Sequence, residues 1–148
     1  MFVVISLPGT NFSHRFMKCW NSALLSMIGT KKYTIMVTYG LSSFVPFARM
    51  QCLHLDVRRG IKQKPLEGIP YDVWVTLDSD MIFTPEQLMS LIDATAEHPA
   101  VSGLYTNAGG ELYMCVQRFV DYSSRFLDNC YLVWLQDCGL CRFRILCL

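Results

Sequence analysis

Two aspartates separated by one residue, Asp78 and Asp80, are the groups in this chain best suited to chemistry. Carboxylates that close repel each other, and the arrangement is costly unless a cation shares them. Hard cations such as Mg²⁺ and Mn²⁺ take oxygen ligands, often one or two carboxylates completed by substrate phosphates. Asp78-Ser79-Asp80 therefore points to a divalent-metal site for a phosphorylated ligand. The plain alternative is one Asp capping a turn and the other simply solvated. Upstream stand Arg49, Arg58, Arg59, Lys62 and Lys64. Singly, each is a solvated cation. As a set they can neutralise phosphate, arginine through a bidentate fork and lysine as a point charge.

Other constellations carry less. His14, His54 and His98 form no metal spacing with each other. Cys138-Gly139-Leu140-Cys141 supplies half of the four ligands a closed zinc site needs. No Gly-x-Ser-x-Gly elbow and no Cys/His pairing marks a hydrolase nucleophile. Pro8-Gly9 is either a simple turn or a loop that lets the backbone approach a nucleotide beside a helix N-terminus. A Gly-x-Gly-x-x-Gly dinucleotide fingerprint is absent.

The elements that must position these groups follow from the apolar pattern. Val73 to Leu77 is β-branched and apolar with almost no polar relief, the mark of a strand buried on both faces of a parallel sheet. Its carboxyl end delivers the two aspartates to the crevice where open α/β sheets collect ligands. Met1 to Leu7 and Tyr33 to Tyr39 predict two further strands, the second closed by Gly40. Between them, Phe12, Phe16, Cys19, Trp20, Ala23, Leu24 and Met27 recur at helical spacing, capped by Asn11 or Ser13 and stopped at Gly29. Phe44 to Leu55 reads as a helical stretch interrupted by Pro46, and 56–70 as a long polar loop. Thr84-Pro85-Glu86-Gln87 spells an N-cap, a first-turn proline and a capping box. Leu88, Leu91, Ile92 and Thr95 form the buried face of that helix, which Pro99 ends. Ala100 to Tyr105 is a strand. The order β-α-β-α-β-α-β implies an α/β fold, a mainly parallel open sheet with helices on both faces. Beyond Gly110 neither period dominates, so 1–110 reads as the core and 111–148 as an ambiguous tail.

The chain has 148 residues, enough for one domain with a real core. With 13 basic and 12 acidic residues, nothing predicts a nucleic-acid partner. No apolar run reaches the roughly 20 residues of a membrane span. Phe2-Val3-Val4-Ile5 lacks a basic flank and meets Pro8-Gly9 too soon for a signal peptide. A cytoplasmic protein is expected, and its seven cysteines are expected to be free thiols.

Together these stretches resemble the nucleotide-binding half of a GT-A glycosyltransferase, of the family-2-like kind common in bacteria and phages. The matching residues are Ile5-Ser6-Leu7-Pro8-Gly9, Ser42-Ser43-Phe44-Val45-Pro46-Phe47-Ala48-Arg49, Leu55-Asp56-Val57-Arg58-Arg59-Gly60 with Gln63-Lys64-Pro65, Tyr71 to Phe83, and Val101-Ser102-Gly103-Leu104-Tyr105. They span residues 1–110, with Asp78-Ser79-Asp80 in the place of the family's Asp-x-Asp signature.

The resemblance implies a three-layer Rossmann-like donor half, a nucleotide-sugar donor and Mn²⁺ or Mg²⁺. Asp80 would ligate the metal, and Asp78 would contact the ribose or the metal through water. Pro8, Gly9 and Ser79 would line the donor, with Ser42 and Ser43 near the base and Arg49 near the diphosphate. The implied reaction is hexosyl transfer to an acceptor hydroxyl on a glycan, lipid or protein. In its inverting form an acid on the acceptor side deprotonates that hydroxyl. Here Glu111, Asp121, Asp128 and Asp137 match no such motif, and the catalytic base is unassigned. The departure leaves two alternatives: a truncated or divergent chain that binds nucleotide without transfer, and a metal-dependent phosphatase or nucleotidyltransferase. An aspartyl-phosphate phosphatase carries its paired aspartates on the first strand with a downstream lysine, and no lysine follows Lys64.

Overall fold

The computed structural model describes residues 1–103, 105–106, 112–113 and 145–147. The chain runs β1 (Phe2–Pro8), α1 (His14–Thr30), β2 (Thr34–Gly40), α2 (Val45–Cys52), β3 (Val73–Thr76), α3 (Pro85–Ala94), β4 (Ala100–Ser102), β5 (Tyr105–Thr106), β6 (Leu112–Tyr113) and β7 (Ile145–Cys147). Five strands form one parallel sheet in the order β2-β1-β3-β7-β4. The short pair β5 and β6 is antiparallel. An α/β fold around a parallel sheet is what the alternation of apolar runs and helical periods predicts.

Strand alternation sorts the core onto two faces. Val3, Ile5 and Leu7 of β1 join Val73, Val75 and Leu77 against Phe16, Trp20, Ala23 and Met27 of α1 and Leu88 and Ile92 of α3. On the other face Val4 meets Leu53 and Leu66, with Trp74 packed alongside. Each fully buried large apolar side chain contributes about 1.5–3 kcal/mol, so β1, apolar on both faces, anchors the sheet. A polar strip runs through the second face. Ser6 and Thr38 share a 2.9 Å hydroxyl–hydroxyl hydrogen bond, and Trp74 Nε1 donates to Ser6 Oγ at 2.7 Å. The Cys52 thiol lies against these hydroxyls, and its burial raises its pKa. Such a thiol is a packing group rather than a nucleophile. Cys19 and Cys52 are both free.

Helix ends are set by local chemistry. Ser13, not Asn11, caps α1, accepting from Phe16 N at 3.0 Å. Gly29 does not stop that helix. Lys31 does, in left-handed backbone, with its N–H on Ile28 O while the Thr30 hydroxyl satisfies Met27 O. Pro46 starts α2 instead of interrupting it, because a proline in the first turn lacks only an N–H that would be unpaired there anyway. The capping box of α3 forms as read: Gln87 N donates to Thr84 Oγ1 at 3.3 Å, and Thr84 N to Gln87 Oε1 at 2.9 Å. That helix ends at Ala94, before Pro99. The Thr95 hydroxyl bonds Ile92 O at 2.6 Å, and turns carry the chain to β4.

The strand expected over Ala100 to Tyr105 is shorter. β4 stops at Ser102, and Tyr105 pairs with Tyr113 in the antiparallel hairpin. The loop over 56–70 holds a short 3-10 turn, Val57–Arg59, and a turn at Pro65–Gly68 whose Leu66 and Glu67 are left-handed. Leu66 is fully buried there despite φ of 51°, its N–H donating to Leu53 O at 2.7 Å. A buried apolar contact and a backbone hydrogen bond offset the strain of that left-handed conformation.

Candidate functional site

The carboxyl edge of the sheet brings together the ends of β1, β2 and β3. Gly9 N donates to Gly40 O at 2.9 Å, joining the first two ends. Ser13 N donates to Ser79 O at 3.3 Å, joining the Asp78-Ser79-Asp80 turn to the start of α1. Gly9 holds φ of 144°, and a Cβ there would stand 3.2 Å from the Cβ and Oγ of Ser79. Gly40 is tighter still: a Cβ would fall 1.8 Å from the carbonyl oxygen of Ala48 in α2. That position is open only to glycine, because α2 crosses the strand end on its own backbone.

This crossing delivers Arg49. Its Nη2 reaches the two oxygens of Asp78 at 3.1 and 3.2 Å. Both side chains are partly open, 35% for Arg49 and 42% for Asp78, so solvent screens the pair. Arg49 Nε is buried with no hydrogen-bond partner among the described residues. The buried hydroxyl of Thr76, two residues before Asp78, is likewise unpartnered. Asp80 is exposed and makes no hydrogen bond or ion pair among the described residues. One turn then leads to the α3 cap, with Met81 N donating to Asp78 O at 3.2 Å.

Of the residues the sequence singles out, Gly9, Ser79, Asp78 and Arg49 are thus tied into one edge by these contacts, with buried Pro8 at the end of β1 and Asp80 on the same turn. Ser42 and Ser43 follow the end of β2 and take no part in those contacts. Ser43 is exposed, and Ser42 accepts from Phe44 N at 3.1 Å. Ser42 lines an open groove of about 660 Å³ with Phe47, Met50, His54, Arg58 and Arg59, a groove that Asp78 and Asp80 do not line. Glu111, Asp121, Asp128, Asp137 and the Cys138–Cys141 pair lie outside the described residues.

A hard divalent cation fits this donor set in one way. Two carboxylates leave most of its coordination to substrate oxygens, as Mg²⁺ sites on phosphorylated ligands do. Among the described residues no group of three His, Cys, Asp or Glu side chains converges, so a cation here depends on its ligand for the rest of its shell. The unpartnered Arg49 Nε is a donor aimed at no protein acceptor, which suits an anionic oxygen.

Two features of the site are invisible to local sequence reading. Gly40 carries no motif; its role appears only when α2 is laid across it. The Arg49–Asp78 pair spans 29 residues, and the nearest sequence signal is that a lone arginine falls on a short helix before the acidic strand. Among the described residues no helix is long and apolar enough to cross a membrane. No protein-family model, no curated protein and no solved structure matches this chain.

Proposed function

We propose that the carboxyl edge of the sheet is the donor site of a metal-dependent glycosyltransferase, organised as the three-layer GT-A donor half that the sequence resembles. The observation that carries the reading is the convergence of the Gly9 turn, the Asp78-Ser79-Asp80 turn and Arg49 at one strand edge. Ligands of open α/β sheets bind in that position.

In this reading Asp80 and Asp78 would hold Mn²⁺ or Mg²⁺. When bound, the cation supplies Lewis-acid neutralisation of charge on the departing nucleoside diphosphate. The protein's own residues do the rest. Without ligand, Arg49 and Asp78 neutralise each other. Donor binding exchanges these partners: Arg49 turns its fork and its unpartnered Nε to the diphosphate, and Asp78 becomes available to ribose or cation. Gly9, lacking a side chain, lets the main chain approach the nucleotide. The exchange makes cation and nucleotide sugar bind cooperatively, since whichever binds first breaks the ion pair and leaves the other's partner free.

Titration with UDP-, GDP- and CMP-sugars, with and without Mn²⁺, tests this reading through binding and sugar-nucleotide hydrolysis. The reading expects one nucleotide class to bind, and only with the cation. Binding indifferent to Mn²⁺ removes the metal from the account. Metal-dependent binding without turnover favours a chain that binds nucleotide without transfer.

A further inference from the structure

The segment from Phe44 to Lys64 presents apolar and cationic side chains together on the surface. Phe44, Val45 and Phe47 are exposed at the start of α2, and the Phe44 and Phe47 rings lie 5.1 Å apart. Val57, Arg58 and Arg59 line the same groove as Phe47. Ile61 follows on that loop, fully exposed, with Lys62 next to it. Isolated exposed apolar residues need no explanation, but an apolar cluster rimmed by polar groups marks an interaction surface.

The loop is held in shape while presenting these groups. Gln63 Oε1 accepts from Asp56 N at 2.9 Å, and Gln63 Nε2 donates to Asp56 O at 2.7 Å and Gly60 O at 2.6 Å. The Asp56 carboxylate caps Arg58 N at 2.9 Å, and Asp56 and Glu67 both line the groove. Along the loop cations outnumber these acids. Arg58, Arg59, Lys62 and Lys64 stand against Asp56 and Glu67, four positive groups to two negative.

We propose that this surface docks on an anionic lipid bilayer, with Ile61, Val57 and Phe47 entering the headgroup boundary and Arg58, Arg59 and Lys62 meeting lipid phosphate and carboxylate. Charge complementarity selects this occupant. An apolar tip flanked by cations matches a surface that is apolar below and negative above. The inference stands on the α2–loop surface alone and does not rest on the donor-site reading.

Co-sedimentation of the full chain with phosphatidylcholine vesicles, with or without phosphatidylserine, tests it. The expected result is retention on phosphatidylserine vesicles, declining as salt is raised, and little retention on phosphatidylcholine alone. The substituted side chains of Ile61→Ser and the double variant Arg58→Glu/Arg59→Glu are exposed, so an unchanged thermal midpoint verifies that both fold. Each cation near an anionic surface is worth about fivefold in affinity, so the double variant should bind about 25-fold or more weakly. Ile61→Ser should weaken binding at every salt concentration. Absence of binding to phosphatidylserine vesicles, equal binding to both vesicle types, or full binding by either variant overturns the proposal. Self-association in sedimentation velocity that Ile61→Ser abolishes also overturns it, because the patch then belongs to a second copy of the chain.

Discussion

The carboxyl edge of the sheet and the basic loop from Asp56 to Lys64 hold their exposed charges by different means. At the edge, main chain is seated with no room to spare: α2 backbone crosses Gly40 where a Cβ would go, and the Gly9 main chain abuts the Ser79 side chain. Asp78 and Arg49 inherit their positions from that contact. In the loop, one side-chain amide does the work, Gln63 bridging Asp56 and Gly60. Backbone contact fixes a side chain's origin but tolerates no added atom. A side-chain clamp can be cut without disturbing the core. The two regions should therefore fail differently.

Gly40→Ala should be the most damaging change. Its methyl would overlap the Ala48 carbonyl, and helix backbone yields only by moving α2 as a unit. A cost of about 3 kcal/mol or more is expected, at the upper end for overpacking, read as a lowered urea midpoint. A stability change below about 0.5 kcal/mol would show that α2 is not seated on that strand end.

Cutting the clamp with Gln63→Ala removes three hydrogen bonds around Asp56 and Gly60. The loss should be about 1–2 kcal/mol, with faster amide exchange confined to the loop. Exchange that spreads into β1 would erase the contrast between the regions.

Arg49→Gln tests the edge from the ligand's side. The open Arg49–Asp78 pair is worth at most about 1 kcal/mol to folding, so stability should scarcely change. Ligand effects should have opposite signs. Nucleotide-sugar affinity should fall about tenfold or more, the scale of a lost charged hydrogen bond, while Mn²⁺ alone binds more tightly because Asp78 is released. Calorimetric titration of each ligand separates the two, and equal loss of both contradicts the partner exchange.

The smallest effect expected is at Glu86, in the first turn of α3. Its own backbone N–H and the Thr84 hydroxyl lower its pKa. A carboxyl lowered on folding contributes stability above its unfolded pKa and loses it as pH falls through the folded value. Glu86→Gln should therefore be slightly less stable than the parent at neutral pH and match it at acid pH, where the parent carboxyl is protonated. A variant whose profile overlays the parent's from neutral to acid pH would remove the carboxylate from the cap.

How much of this was legible in the sequence depends on the range of the interaction. The capping box at Thr84–Gln87 is complete within four residues, and the structure forms both of its hydrogen bonds. β1 and β3 are apolar on alternate and successive positions, which fixes them as central strands whatever surrounds them. Helix ends were harder. Gly29 looks like a stop, but the Thr30 hydroxyl and the left-handed Lys31 close the helix two residues later. Pro46 and Pro99 look like breakers, yet one initiates a helix and the other follows one that has already ended. Gly40 and the Arg49–Asp78 pair depend on where α2 lies over the sheet, which no local spacing encodes. The place of β7 between β3 and β4 is non-local in the same sense, since Ile145 is far in sequence from both neighbours.

The central claim is that the Asp78-Ser79-Asp80 turn holds a cation for a nucleotide sugar. Asp80 tests it most directly, being exposed and unpartnered among the described residues, so that Asp80→Ala leaves the fold intact. The decisive measurement is nucleotide-sugar affinity with and without Mn²⁺, by calorimetry, for the parent chain and Asp80→Ala. The account predicts Mn²⁺-dependent affinity in the parent and none in the variant, at unchanged thermal midpoint. Equal Mn²⁺ dependence in both proteins would contradict it.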